Sequence, residues 1–148
     1  MTQPIWNYQG KPITEVSDLP DNVHGFVYMI TDENGKKYIG KKTIFTVRKR
    51  KFGKKESKLI TDKRLKLYET VRKEGNWKIY TGSNTILNEG IKKGLQYTKE
   101  IIRVAYHKKQ LSYYETRELF EKRVLETDDD YYNSNINGTY FKKDTEIK

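Results

Sequence analysis

The chain has 148 residues, 34% of them hydrophobic and 34% charged, which suits one domain with a modest core and much solvated surface. It contains no cysteine, so disulfides, thiolate metal sites and a cysteine nucleophile are excluded. No signal peptide or membrane span is predicted, and we expect a cytoplasmic protein with no membrane partner.

The positive charge of the chain is concentrated in one segment. Between Lys36 and Lys66 there are fourteen Lys or Arg residues against two acids, so this segment carries +12, while the remaining residues carry −2 and the whole chain +10. Such a segment is typical of a surface that contacts a phosphate backbone, because neutralised phosphates release condensed counterions. A solubilising loop would have the same composition.

The first part of the chain is predicted to be an irregular arm followed by a β-hairpin. Residues 1–24 form the arm, because all three prolines fall within it. In the hairpin, residues 25–30 and 37–40 are rich in β-branched and aromatic side chains, and Asn34 and Gly35 form the turn between them. This pattern predicts two antiparallel strands.

The middle of the chain has no clear periodicity. Between residues 43 and 75 the pattern permits a helix that begins near Arg48, an interruption at Gly53 and a second helical stretch over residues 62–73. Secondary structure in this segment is therefore the least specified by sequence.

Three further elements are predicted in the second half. A helix capped by Ser83 or Asn84 is followed by a strand over residues 97–106. The last helix is predicted to begin at Ser112, which forms a capping-box pattern with Glu115, and its apolar face ends before an acidic run.

Five polar side chains occur at a specific spacing along these elements. Tyr28 and Tyr38 lie on the two strands of the hairpin, and Arg48 follows ten residues after Tyr38. Glu121 lies on the last helix, and Asn133 follows it by twelve residues.

This set resembles the GIY-YIG endonucleases. The second half-motif of that family is intact at residues 38–40, whereas Phe26 stands where the first half-motif has glycine. Phe52 stands where several members have a tyrosine or histidine. The chain also resembles small, free-standing, phage-borne members of the family in a pattern formed by Trp77, Tyr80, Gly82 and Ser83. A phage or mobile-element origin is therefore expected.

The resemblance implies phosphodiester hydrolysis, which needs a base, positive charge on the phosphate and usually a metal ligand. It also implies a role for each of the five residues. Glu121 binds Mg²⁺ or Mn²⁺, Arg48 binds a phosphate oxygen, and Tyr28 deprotonates or orients the attacking water. Tyr38 hydrogen-bonds the phosphate or the water, and Asn133 anchors the glutamate helix to the hairpin. A phenol needs nearby cations to become a competent base, and the candidates are Lys37, Lys41 and Lys42.

Alternatives remain at three of these five positions and at Phe52. Asn135 and Asn137, both plausible turn residues, lie beside Asn133. Arg50 lies in the same basic run as Arg48, and Tyr68 is a candidate for the role lost at Phe52. Other carboxylates on the last helix compete with Glu121 for the metal. They are Glu115, Glu118 and Glu126.

The resemblance also implies an α/β (α+β) domain over residues 25–148, with a small, mostly antiparallel three-stranded sheet flanked by helices and a basic insertion around residues 49–76. Its expected activity is metal-dependent hydrolysis of DNA. The alternative is a nonenzymatic nucleic-acid-binding module on a degenerate nuclease fold. The predicted DNA-binding residues are Lys41, Lys42, Lys49, Arg50, Lys51, Lys54 and Lys55.

Overall fold

The computed structural model describes residues 3–51 and 68–145. The chain divides into two compact units, the core unit (residues 1–44 and 76–148) and the basic unit (residues 45–75). Among the residues described, no helix is long and apolar enough to cross a membrane.

Nine strands and two α-helices form the described structure. The strands are β1 (Trp6–Tyr8), β2 (Lys11–Ile13), β3 (Gly25–Asp32), β4 (Lys37–Thr43), β5 (Phe45–Lys51), β6 (Tyr68–Glu74), β7 (Tyr97–Ala105), β8 (Asn135–Ile136) and β9 (Tyr140–Phe141). The helices are α1 (Thr85–Lys92) and α2 (Lys108–Glu121).

The core unit is an α+β structure built on a mixed five-stranded sheet. The strand order is β2-β1-β7-β3-β4, with β1 parallel to β7 and the other neighbours antiparallel. The predicted antiparallel hairpin is present as β3 and β4, and the predicted strand after α1 is β7. β8 and β9 pair separately as a short hairpin.

The sheet is larger than the three strands predicted, because the N-terminal arm is not wholly irregular. β1 and β2 form a short hairpin within the arm, and β1 extends the sheet by pairing with β7. Pro12 is compatible with β2 because β2 is an outer strand, where proline is tolerated. The hairpin buries the side chains of Trp6 and Ile13, which supplies apolar burial that the prolines obscure in the sequence.

The two faces of the sheet carry different layers. α2 packs on one face over a buried apolar cluster that includes Val27, Ile39, Leu111 and Leu119. The other face carries an aromatic layer, in which the ring centroids of Trp6 and Phe26 are 5.0 Å apart and those of Phe26 and Trp77 are 6.2 Å apart. Phe26, which replaces the glycine of the first half-motif, is therefore a core residue of this layer.

The β3–β4 hairpin places both motif tyrosines on the aromatic face. Tyr28 pairs with Gly40 and Tyr38 pairs with Ile30, so the two phenols are diagonal neighbours on one side of the sheet. A Cβ atom at Gly40 would lie 2.5 Å from the hydroxyl oxygen of Tyr28. The glycine of the second half-motif thus leaves the space that the Tyr28 side chain occupies.

The outer edge of β4 is covered by the segment that follows α2. The N–H of Lys37 donates to the carbonyl of Asp130 at 2.9 Å, and the N–H of Tyr132 donates to the carbonyl of Lys37 at 2.7 Å. Residues 130–133 therefore satisfy part of an edge that would otherwise be open.

The two helices begin at different kinds of cap. Asn84 caps α1 with its side-chain oxygen, as one of the two predicted candidates. α2 begins at Lys108, where Nδ1 of His107 accepts a hydrogen bond from the N–H of Gln110 at 3.2 Å. The capping box predicted at Ser112 is wrong, because this residue lies inside the helix.

Within the described residues, the basic unit is a two-stranded antiparallel sheet. Arg48 on β5 lies opposite Val71 on β6, so the helix permitted near Arg48 is not formed. The guanidinium carbon of Arg72 lies 3.7 Å from the ring centroid of Phe45. β-Branched residues on both strands favour this extended pairing over a helix.

Candidate active site

An open cavity of about 540 Å³ lies at the outer edge of β4, beside α2 and the start of α1. Polar groups line most of it. They include Tyr38, Lys41, Ser83, Glu115, Asn133 and Asn137. A cavity of this character suits a charged group of a substrate better than an apolar ligand.

The cavity reaches both faces of the sheet because β4 is an edge strand. Tyr38 pairs with Ile30 on the aromatic face, whereas Lys41 pairs with Val27 on the face that α2 covers. Side chains on opposite faces of β4 therefore both reach the cavity at the edge of this strand.

Glu115 is the carboxylate on the wall of this cavity. It lies on α2 between the buried residues Leu111 and Leu119, and residues four apart share one helix face. Burial raises the pKa of Glu115, and the ammonium of Lys41 opposes this shift. Nζ of Lys41 donates a hydrogen bond to Oγ of Ser112 at 2.9 Å, one helical turn before Glu115.

Glu121, the predicted metal ligand, lies on another face of α2. The six residues that separate it from Glu115 correspond to a rotation of about 240° around the helix axis. The Glu121 side chain is 60% exposed, and its Oε1 lies 3.5 Å from Nε of Arg117 without hydrogen-bond geometry. Glu118 is buried, with Oε2 at 3.5 Å from Nζ of Lys122. The structure brings Glu115 to the cavity and does not bring Glu121.

The sequence held a signal for Glu115 that the capping-box interpretation hides. Leu111, Glu115 and Leu119 form a row at intervals of four, with an acidic residue between two leucines. Such a row places the carboxylate on the buried face of a helix, at the border of the core. This row can be recognised as one face of a helix once the helix is known to begin at Lys108.

Tyr38 presents its hydroxyl group at the cavity, 3.0 Å from Oγ of Ser83. Burial raises the pKa of Tyr38, and the hydrogen bond with Ser83 opposes the shift. In the sequence, Ser83 is a candidate helix cap and part of a family pattern. Its contact with a tyrosine 45 residues away depends on the fold and has no local signal.

Tyr28 lies behind Tyr38 and is only 1% exposed. The ring centroids of Tyr28 and Tyr38 are 6.2 Å apart, and those of Tyr28 and Tyr80 are 6.0 Å apart. Burial raises the pKa of Tyr28 far above its usual value, and the phenols of Tyr38 and Tyr80 raise it further. A phenol in this environment is a weak candidate for a general base.

Asn133 is bound to the backbone of Ile39 through both of its amide groups. Its Oδ1 accepts from the N–H of Ile39 at 3.0 Å, and its Nδ2 donates to the carbonyl at 2.8 Å. The anchoring role predicted for Asn133 therefore has a physical basis, and the anchored partner is the edge strand β4.

The three predicted helper lysines occupy different surroundings. Lys41 lines the cavity, as described above. Nζ of Lys42 lies 4.3 Å from the ring centroid of Tyr80, and burial lowers the pKa of Lys42. Lys37 bonds through its backbone to the segment that follows α2, and its side chain is half-buried outside the cavity lining.

The remaining predicted residues belong to the basic unit or lie outside the described residues. Arg48 and Lys49 are exposed on β5, and Arg50 and Lys51 belong to the same strand. Outside the described residues lie Phe52, Lys54 and Lys55.

A family model described as "Putative endonuclease segE, GIY-YIG domain" matches residues 6–136. The matched range starts in β1 and ends in β8, so it includes the hairpin, Glu115 and every cavity-lining residue except Asn137. No curated protein and no solved structure matches the chain.

Proposed function

Because this chain belongs to the GIY-YIG endonuclease family, we propose that it is a divalent-metal-dependent DNA endonuclease that uses Mg²⁺ or Mn²⁺. Family membership implies nuclease activity with DNA as substrate. The observation that carries the proposed site is that Glu115 from α2 meets Tyr38 and Lys41, from opposite faces of the edge strand β4, in one open cavity.

The donor groups at the cavity fit a hard divalent cation. Mg²⁺ commonly takes one or two protein carboxylates, while water and substrate phosphate fill its other positions, and Glu115 supplies one carboxylate. Within residues 3–51 and 68–145, no three histidine or acidic side chains form a closed cage. A cation held by Glu115 supplies positive charge that stabilises the phosphate oxygens.

The other residues of the cavity act on the water and the phosphate. Tyr38 orients the attacking water or a phosphate oxygen, because its hydroxyl lies on the wall and Ser83 fixes its direction. The ammonium of Lys41 adds positive charge beside Glu115. Tyr28 supports the ring of Tyr38 from the core and is not the base in this proposal.

The basic unit is proposed to bind the DNA backbone. Its exposed residues Arg48 and Lys49 belong to the segment that carries the excess positive charge, and Arg48 remains the predicted phosphate ligand. Affinity should fall steeply with salt, and each cation that no longer neutralises a phosphate should reduce the slope of log K against log salt by about 0.9. A variant neutralised at the five lysines and arginines predicted between residues 49 and 55 tests this, and an unchanged slope would contradict it.

Incubation of the purified protein with supercoiled plasmid tests the endonuclease activity. We expect nicked or linear products with Mg²⁺ or Mn²⁺ and none with EDTA. A Glu115→Gln protein purified in the same way controls for contaminating nucleases. Cleavage that persists in EDTA, or the absence of cleavage with either metal, would contradict the proposal.

A nonenzymatic DNA-binding module is the second candidate, and the solvent exposure of Glu121 favours it. Phe26 does not favour it, since its ring packs in the aromatic layer against Trp6 and Trp77. In the plasmid experiment this module would bind DNA without cutting it. A phage or mobile-element origin and a cytoplasmic location stay predictions from the sequence.

A further inference from the structure

The segment formed by residues 77–83 contributes to the site although it belongs to no helix or strand. It carries Ser83, which meets the hydroxyl of Tyr38, and Tyr80, whose ring stands edge-on to that of Tyr28 at an interplanar angle of 87°. Backbone groups of an irregular segment beside the core need partners other than a regular ladder.

Buried side chains from two strands of the sheet supply those partners. Nζ of Lys99 donates to the carbonyls of Lys78 and Tyr80, each at 3.0 Å. Nε1 of Trp6 donates to the carbonyl of Trp77 at 2.6 Å, and the Trp6 ring centroid lies 4.3 Å from Nζ of Lys99. Three carbonyls of the segment are therefore held by β7 and β1.

Burial of a lysine at this position of β7 costs desolvation free energy. Lys99 is 1% exposed and lies between Ile30 of β3 and Trp6 of β1. Across the described ranges of the chain, no carboxylate pairs with it, and burial lowers the pKa of Lys99 to about 8. An apolar side chain would fill this position without the free-energy cost of desolvating an ammonium group. The presence of the ammonium therefore indicates a role that depends on its hydrogen bonds.

We propose that Lys99 is a positioning residue of the endonuclease site. By binding the carbonyls of Lys78 and Tyr80, it fixes the segment so that Ser83 reaches Tyr38. This inference rests on the proposed function, because it assigns Lys99 to the same cavity.

Different groups bind the two ends of the segment. Nδ2 of Asn88 on α1 donates to the carbonyl of Gly82 at 3.0 Å, which holds the downstream end. Loss of Lys99 therefore leaves the Gly82 bond to hold the part of the segment next to Ser83, so the segment stays near α1 but Ser83 is less firmly placed. A displacement of about 1 Å at a catalytic group can cost about 10²-fold in rate, so a modest shift of Ser83 is sufficient.

The first test compares Lys99→Met with Lys93→Met, a control at an exposed lysine beyond α1. We expect Lys99→Met to lower the single-turnover cleavage rate by about 10²-fold and to leave DNA affinity without metal unchanged. The control should match the wild type in both assays. A folded Lys99→Met protein that cleaves at the wild-type rate would overturn the inference.

A double-mutant cycle separates positioning from general stabilisation. If Lys99 acts through Ser83, adding Ser83→Ala to Lys99→Met should lower the cleavage rate little further, so the two effects are not additive. Additive effects would overturn the inference. If Lys99→Met does not fold, Lys99→Gln, which keeps an amide donor, replaces it in the cycle.

Hydrogen–deuterium exchange provides a readout that does not need activity. Amides in residues 76–84 should exchange faster in Lys99→Met than in the wild type, while those in residues 25–43 should not change. If the wild type cuts no DNA, the proposed function fails, and exchange still decides whether Lys99 holds the segment. Unchanged exchange over residues 76–84 would overturn the inference.

Discussion

The β3–β4 hairpin and helix α2 form two sides of the cavity, and they hold their functional groups differently. Tyr38 belongs to a strand that is bonded to β3 on one side and, through Ile39, to Asn133 on the other. Glu115 lies at the border of the apolar cluster, and its carboxylate has no hydrogen bond within the described residues. Substitutions in the hairpin should therefore disturb packing and chemistry together, whereas a substitution at Glu115 should disturb chemistry alone.

The largest effect expected in the hairpin is that of Tyr38→Phe. Loss of a hydroxyl that orients the reacting groups should lower the single-turnover cleavage rate by about 10²-fold or more, the usual range for loss of a proton-transfer group. Tyr28→Phe should cost less, because the Tyr28 hydroxyl is buried away from the cavity wall. A larger loss in Tyr28→Phe would return the role of base to Tyr28.

A smaller effect, on stability rather than chemistry, is expected at Gly40. A Cβ atom there would lie 2.5 Å from the hydroxyl oxygen and 2.7 Å from Cζ of Tyr28, so Gly40→Ala should destabilise the fold by about 1–3 kcal/mol in urea unfolding. Tyr28→Phe removes the nearer atom and should recover part of this loss. Full additivity of the two substitutions would show that the clash is not the cause.

On the helix side, the smallest effect is a shift of the pH–rate profile. Burial raises the pKa of Glu115, so its metal-binding carboxylate form is lost as pH falls through a value above the ordinary glutamate pKa. Lys41 opposes the shift, and Lys41→Met should therefore move the acidic limb of the profile to higher pH. An unmoved limb would show that Glu115 does not control it.

The hairpin was predicted correctly from the sequence, whereas the face of α2 that meets the cavity was not. Strand alternation and the Asn34-Gly35 turn fix Tyr28 and Tyr38 on one side within a short stretch of chain, which is a local property. The choice between Glu115 and Glu121 depends on where α2 begins and how its apolar row rotates onto the sheet. A cap at His107 in place of one at Ser112 changes that choice.

The long-range contacts could not be predicted from the sequence for a different reason. In the sequence, Lys99 is simply a polar residue within a predicted strand. The carbonyl groups that it binds lie about twenty residues earlier, in a segment without regular structure. Similarly, β1 joins the sheet by pairing with β7, some ninety residues later. Neither pairing leaves a periodic signal that a single sequence can show.

The sharpest test of the proposed metal ligand is the cleavage rate of Glu115→Gln beside that of Glu121→Gln, under identical Mg²⁺ and DNA concentrations. We expect Glu115→Gln to bind DNA without cleaving it, while Glu121→Gln cleaves at the wild-type rate because its side chain is exposed on another face of α2. Full activity in Glu115→Gln with loss of activity in Glu121→Gln would refute the assignment of Glu115 and restore Glu121 as the metal ligand.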